Sequence, residues 1–135
     1  MKIKMIKEKL FYLVAVGASI FFLFFFIGSV WIGYDAKNMC LNATRQYKTS
    51  GCVDALIAQL DDEHQDFRSR NYAIWGLGAM GDRRALPVLQ KYYTGNIPDR
   101  EPLDDMISQY ELKKAVSLAN GGLNITAWVW RWGIK

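Results

Sequence analysis

The chain is poor in the residue types on which catalysis, metal binding or cross-linking is usually built. Only two of its 135 residues are cysteine, Cys40 and Cys52, which excludes a disulfide-dense toxin scaffold. A single histidine, His64, and no C-x-x-C spacing leave a four-ligand zinc set without a source. Neither G-x-S-x-G nor a paired cysteine and histidine occurs, so no nucleophile with its base is in view. Three prolines and eleven glycines exclude a collagen, and an apolar share of 51% excludes a fully disordered chain. Strand-like alternation is nearly missing before the last dozen residues. Charge is missing altogether from residues 10–34. Setting that run and the nine residues ahead of it aside leaves about 100 residues, enough for one small domain and too few for a multidomain enzyme.

The net charge of +4 is unevenly placed. Lys2, Lys4, Lys7 and Lys9 against Glu8 put +3 ahead of the apolar run, and residues 34–135 carry only +1. A nucleic-acid binder needs a basic stripe on its folded part, so none is expected as a partner.

A hydrocarbon core about 30 Å thick takes roughly 20 helical residues, and residues 10–34 have that length with some to spare. Six of the seven phenylalanines lie inside the run: Phe11, Phe21, Phe22, Phe24, Phe25 and Phe26. Tyr12, Trp31 and Tyr34 sit near its ends, where amphipathic rings favour the headgroup level. A buried soluble helix is the poorer reading, because so small a domain could not cover so apolar a rod on every side. A cleaved signal peptide has an apolar stretch of about 7–15 residues ending in a small-x-small site, whereas this run is longer and ends Trp31-Ile32-Gly33-Tyr34. Cys40, preceded by Lys37, Asn38 and Met39, does not look like a lipid-attachment cysteine. The expectation is an uncleaved single-pass signal anchor. Residues 1–9 form a basic cytoplasmic tail, 10–34 a transmembrane helix and 35–51 a juxtamembrane linker. The four leading lysines then place residues 35–135 on the extracytoplasmic side, periplasmic, extracellular or lumenal. Ala15 with Ser19, and Ser29 with Gly33, are small-xxx-small pairs able to seat another helix. The span holds no ionisable residue, which argues against a proton relay.

Beyond Gly51 the apolar spacing is helical. Val53, Leu56, Ile57 and Leu60 fall at i, i+3, i+4, i+7; so do Ala73, Gly76, Leu77 and Met80, and again Ala85, Val88, Leu89 and Tyr92. Asp66 suits the N-cap of the second of these helices, Gly81 its stop, and Asp82 the cap of the third. A shift of 33 lays Val53, Leu56 and Leu60 on Leu86, Leu89 and Tyr93. A shift of 41 lays Gly76, Leu77, Gly78 and Gly81 on Ser117, Leu118, Ala119 and Gly122. The extra length is taken up by a loop between Gly95 and Pro102. Leu103, Met106, Ile107 and Tyr110 then begin a helical stripe, and Leu112, Ala115, Val116 and Ala119 form another about 180° round the helix. Either the helix breaks near Tyr110 or both its faces are covered.

The residues Asp66-x-x-x-Arg70-x-x-Ala73, then Leu77-Gly78-x-x-Gly81-Asp82, then Ala85-Leu86-Pro87-x-Leu89, resemble the HEAT-like repeat of the phycobilisome-lyase class. The likeness is close over residues 66–89 and loose over the second unit. It implies an all-α chain: behind the transmembrane helix, a short α-solenoid of about two helix pairs over residues 52–122, followed by a Trp-rich segment, 123–135. Members of this class mostly bind other proteins, and the lyase of the name describes a few of them. The chain departs from the pattern at Ser69, where a branched apolar residue is usual, and at Gly76, where alanine is usual; both departures imply a looser repeat core. Two units fall below the roughly three that an independent solenoid needs. Residues 35–50, the last segment or a partner must then close its ends.

Cys40 and Cys52 are candidates for a disulfide worth ~2–3 kcal/mol on the oxidising side of a membrane, against the alternative of two unpaired small core residues. Asp61, Asp62, Glu63, His64 and Asp66 read as a solvated turn between helices in preference to a cation site, since the calcium-loop spacing with its central glycine is missing. Asp66 and Arg70, at i and i+4, are expected to pair. Asn42 and Asn124 begin glycosylation triplets that matter only in a eukaryotic lumen. Trp128, Trp130 and Trp132 alternate with Val129 and Arg131. As a strand their three indoles share one face; as a helix Trp128 and Trp132 stack while Trp130 points away. A lid over the solenoid end, an aromatic anchor on the bilayer surface and a strip gripping a partner all stay open, and Trp128, Trp130, Trp132 and Arg131 are the candidate partner-binding residues.

Together these features lead to an expectation of a non-catalytic, membrane-anchored binding or assembly subunit. No catalytic residue, metal, cofactor or small-molecule substrate is expected; the partners are the bilayer and another membrane or extracytoplasmic protein. The rival is a structural subunit that stabilises a larger membrane complex through its span. A lyase or chromophore-handling factor stands further behind.

Overall fold

The computed structural model of the chain describes residues 1–134, apart from the side chain of Lys2; Lys135, the last residue of the Trp-rich segment, lies outside it. Six α-helices follow one another: α1 (Lys2–Tyr47), α2 (Cys52–Asp61), α3 (Phe67–Met80), α4 (Leu86–Tyr92), α5 (Gln109–Ala119) and α6 (Ala127–Trp130). Single 3-10 turns lead into α4 and follow α6. No strand occurs among the described residues, and the chain is all-α.

α1 is unbroken, so residues 35–47 of the expected linker continue the helix of the apolar run. The reason is a second stripe. Ala36, Met39, Cys40 and Ala43 recur at helical spacing and are buried against the domain, with no glycine or proline between them. The rod is about 69 Å long at 1.5 Å per residue. It ends at Lys48, the one non-glycine in the left-handed region among the described residues. Ahead of Ser29 its described side chains stand exposed, apart from a half-buried Phe25. This is one helix long and apolar enough to cross a membrane.

The domain is built as two stacked pairs. α2 packs on α3, α4 on α5, and the pairs meet through α3 and α5. Leu56, Leu60, Ile74, Leu77, Leu89 and Leu112 are fully buried between them, each worth about 1.5–3 kcal/mol of transfer free energy. α3 starts where Asp66 Oδ1 accepts from Ser69 N at 2.8 Å, and stops at Gly81 (φ 61°), whose N–H donates to the Leu77 carbonyl. Asp82 caps the 3-10 turn ahead of α4 by accepting from Arg84 N.

Three expectations are corrected. The Asp66–Arg70 pair is not formed. Asp66 is occupied by the backbone N–H and hydroxyl of Ser69, while Arg70 turns inward: its Nε donates to the Leu60 carbonyl at 2.8 Å and its guanidinium lies 5.5 Å from the Tyr92 ring. An orphan carbonyl at the end of α2 thus wins the arginine. Nor do Ser69 and Gly76 loosen the core. Ser69 strengthens the cap, and the space beside Gly76 is filled by Met39 of α1 and by Leu56. Finally, Leu103, Met106 and Ile107 are not helical. The Asn71 amide nitrogen donates to the carbonyls of Leu103 and Met106 at 3.0 and 2.8 Å, and its oxygen accepts from Ser108 N at 2.8 Å. Ser108 then caps α5, and Glu101 accepts from Gln109 N at 2.7 Å. Neither alternative, a break near Tyr110 or a helix covered on both faces, is realised: the helix simply begins at Gln109.

Candidate functional site

A groove runs between α3 and α5. Its upper part, about 480 Å³, is walled by Tyr72 and Trp75 of α3 and by Leu103; its lower part, about 310 Å³, passes Gly78, Ala115 and Leu118 to reach Leu123 and Ile32 of α1. Trp75 and Glu111 border both parts. The Tyr72 and Trp75 rings stack at 5.6 Å and 5°. The floor is shallow because α3 and α5 approach closely: a Cβ on Gly78 would lie 2.9 Å from the Ala115 Cα. Charges along the groove are paired with each other, Arg68 Nε to Asp104 at 2.8 Å and Lys114 Nζ to Glu111 at 2.8 Å. Burial and the charge of Asp35 push the Tyr72 hydroxyl above its ordinary range. Reading α3 by its core stripe passes over this pair. Its signal is two large aromatics three residues apart that fall outside the stripe.

The last segment is helical and divides its indoles. Trp130 is 8% exposed, whereas Trp128 and Trp132 are 74% and 87% exposed. Trp130 seats on Gly33, where an added Cβ would run into its Cβ and Cγ. Ala127 packs with Ala36 and Ala79. The small pair Ser29 and Gly33 is therefore covered within the domain, and α6 supplies the cover over Gly33. Arg131 Nη2 donates to the Ala79 carbonyl at 2.8 Å, placing a cation at the end of α3. Of the four candidate partner-binding residues, Trp130 and Arg131 thus close the corner between α1 and α3, and Trp128 and Trp132 stay outside.

Cys40 and Cys52 are both buried, with their Cα atoms 4.9 Å apart and their sulfurs at disulfide distance, linking α1 to the first turn of α2. In the acidic turn Asp61 and Asp62 have separate partners. Asp61 accepts from Lys91 Nζ at 2.8 Å and Tyr92 Oη at 2.7 Å; Asp62 accepts from Tyr47 Oη at 2.9 Å and His64 N at 3.0 Å. Burial pushes the Asp61 carboxyl up, but its bonds to Lys91 and Tyr92 and the lysine charge outweigh this and hold it low. No group of three or more His, Cys, Asp and Glu among the described residues is arranged to hold a metal ion. Asn42 is exposed on α1, and the Asn124 oxygen accepts from Thr126 Oγ1 and Ala127 N at the start of α6.

Among known families, the model for the PBS lyase HEAT-like repeat matches residues 69–94, from the first turn of α3 to just past α4. Neither the curated proteins nor the solved structures hold a match to this chain. The matched stretch spans α3, the turn after it and α4, and the packed helices are consistent with a short helical repeat.

Proposed function

We propose that this is a membrane-anchored, non-catalytic binding or assembly protein. Residues 10–34 cross the bilayer, residues 35–135 lie outside the cytoplasm, and the α3–α5 groove holds a segment of another membrane or extracytoplasmic protein. One observation carries the reading: the groove begins at the Tyr72–Trp75 stack, with Tyr72 exposed and Trp75 half-buried, and ends on Ile32, a residue of the apolar run itself. A chain emerging from the membrane beside α1 would meet it at once. Stacked aromatics over an aliphatic floor, with rim charges already paired, suit gripping a partner more than reacting with a substrate. The lysines ahead of the run support the orientation, and a Cys40–Cys52 disulfide would be kept on that side.

The test is recovery from mild detergent. The native chain should bring down a stoichiometric partner, and Tyr72→Ala with Trp75→Ala should lose it while helix content is retained. Recovery of a lone monomer under every mild condition would overturn the reading. Protease accessibility in intact cells or spheroplasts fixes the side. A second reading, a structural subunit acting through its span, is favoured by the exposed phenylalanines of residues 10–28. Replacing 10–28 with an unrelated transmembrane helix, and leaving the docked residues from Ser29 on, separates the two. A pigment absorbance in the purified protein would favour a chromophore-handling factor instead.

A further inference from the structure

We infer that the α6 segment is a second membrane contact, a foot that lies in the phospholipid headgroup layer beside the emerging span. The inference rests on the proposed anchoring of residues 10–34 and adds to it a residue-level placement of the domain.

The depth follows from the helix itself. Tyr12 and Trp31 are 19 residues apart on one unbroken helix, about 29 Å of rise, against a hydrocarbon core of about 30 Å. Trp31 therefore marks the far boundary of the core, with Gly33 about 3 Å beyond it. The headgroup layer on each side is roughly 5–7 Å deep, from total and core bilayer thickness. Trp130 touches Gly33, so α6 is pinned to that layer by a direct contact. The domain even covers Ser29, which is 1% exposed and belongs to the apolar run. It cannot be raised clear of the bilayer without pulling apolar residues into water.

What the foot presents at this depth is matched to it. Trp128, Trp132 and Ile125 are exposed on the domain, and Trp31 and Tyr34 on the rod. Around Trp128 and Trp132 is an open cleft of about 490 Å³ in which Arg131 is the single charged lining residue among those described. Indole rings combine an apolar body with a polar N–H and collect at headgroup level. In water two such exposed indoles would be a standing liability. A lipid interface is also continuous with the apolar run on which α6 is docked. With the foot down, the domain has two attachments and the groove ending at Ile32 is held open at the membrane surface.

The test uses the full chain in phosphatidylcholine liposomes containing lipids brominated either near the headgroup or deep in the acyl chain. The emission of Trp128 and Trp132 is read as the difference between the native chain and Trp128→Phe/Trp132→Phe, a variant that keeps aromatic bulk; the two single variants serve as a check on folding. Shallow bromines should quench that emission about twofold, and deep bromines less. Phe22→Trp in the double-variant background reads the anchoring on its own and should be quenched by deep bromines. If that probe is quenched while the Trp128 and Trp132 emission is untouched and red-shifted as in water, the foot is overturned and the anchor stands; the two indoles are then free for a protein partner. If the Phe22→Trp probe is not quenched either, the anchoring reading falls and takes this inference with it.

Discussion

Individual glycines divide sharply in what they permit. Beside Gly78 the obstacle is the Ala115 backbone, which can yield only if α3 and α5 separate. Gly78→Ala should cost about 1–3 kcal/mol in denaturant unfolding followed by helical circular dichroism. Gly76→Ala meets the flexible end of Met39 and should cost less than about 1 kcal/mol. Charged residues give a second expectation at this scale. Bonds from the Ser69 backbone and hydroxyl hold the Asp66 carboxyl low. The Arg84 side chain and backbone N–H do the same for Asp82, and Asp61 is low despite its burial. In each case the unfolded chain binds protons more readily, so the stabilisation is complete above the unfolded carboxylate value and is lost as pH falls below about 4. Thermal unfolding between pH 7 and pH 3 should show this acid loss, and Asp61→Asn with Asp82→Asn should flatten it while lowering stability at neutral pH. The pairing of Arg70 shows why residue-scale reading stops short. An i, i+4 acid is a local partner visible in the sequence, but the Leu60 carbonyl that wins it belongs to a different helix.

At the scale of elements, periodicity served well where one face was buried by neighbours in the same repeat. The stripe from Val53 to Leu60 became α2, and Asp66 and Gly81 bound α3 as their chemistry requires. It failed where the covering partner was far along the chain. Residues 35–47 read as a linker because part of their cover comes from α3 and α6, with Met39 against Gly76 and Ala36 against Ala79 and Ala127, and their stripe of Ala36, Met39, Cys40 and Ala43 is made of small or soft residues. Leu103 and Ile107 read as helix because nothing local reveals that the Asn71 amide holds their loop. The alternating tryptophans fitted strand and helix equally until Gly33 supplied a seat for one of them. The groove was hidden for the same reason, since Leu103, Leu123 and Ile32 meet only in three dimensions. The cysteine pair belongs to this scale too, because it ties α1 to α2 across 12 positions. Cys40→Ser with Cys52→Ser should lower stability by about 3 kcal/mol and speed amide exchange in residues 36–47, with the rest of the domain still folded. Mobility on non-reducing gels before and after thiol labelling checks that the bond is present in the native chain.

For the molecule as a whole, the decisive joint is between rod and domain. Gly33→Leu removes the seat of Trp130 without touching the core between α2 and α5. α6 should then detach, so that limited trypsin cuts after Arg131 in the variant and spares it in the native chain, while both resist carbonate extraction. Two helix pairs are few for a solenoid; the rod covers one end by packing on α2, and α6 fills the corner between the rod and α3. The unbroken course of α1 has one more consequence. A helix turns 100° with every residue, so the compass bearing of the groove relative to the far end of α1 is set by the number of residues in the apolar run. One alanine inserted after Phe22 would swing the opening by 100° relative to anything that grips the rod below it, and two would nearly reverse it. An assembly that held this chain at both levels would therefore be keyed to residue count in the apolar run, and would tolerate substitution there far better than insertion.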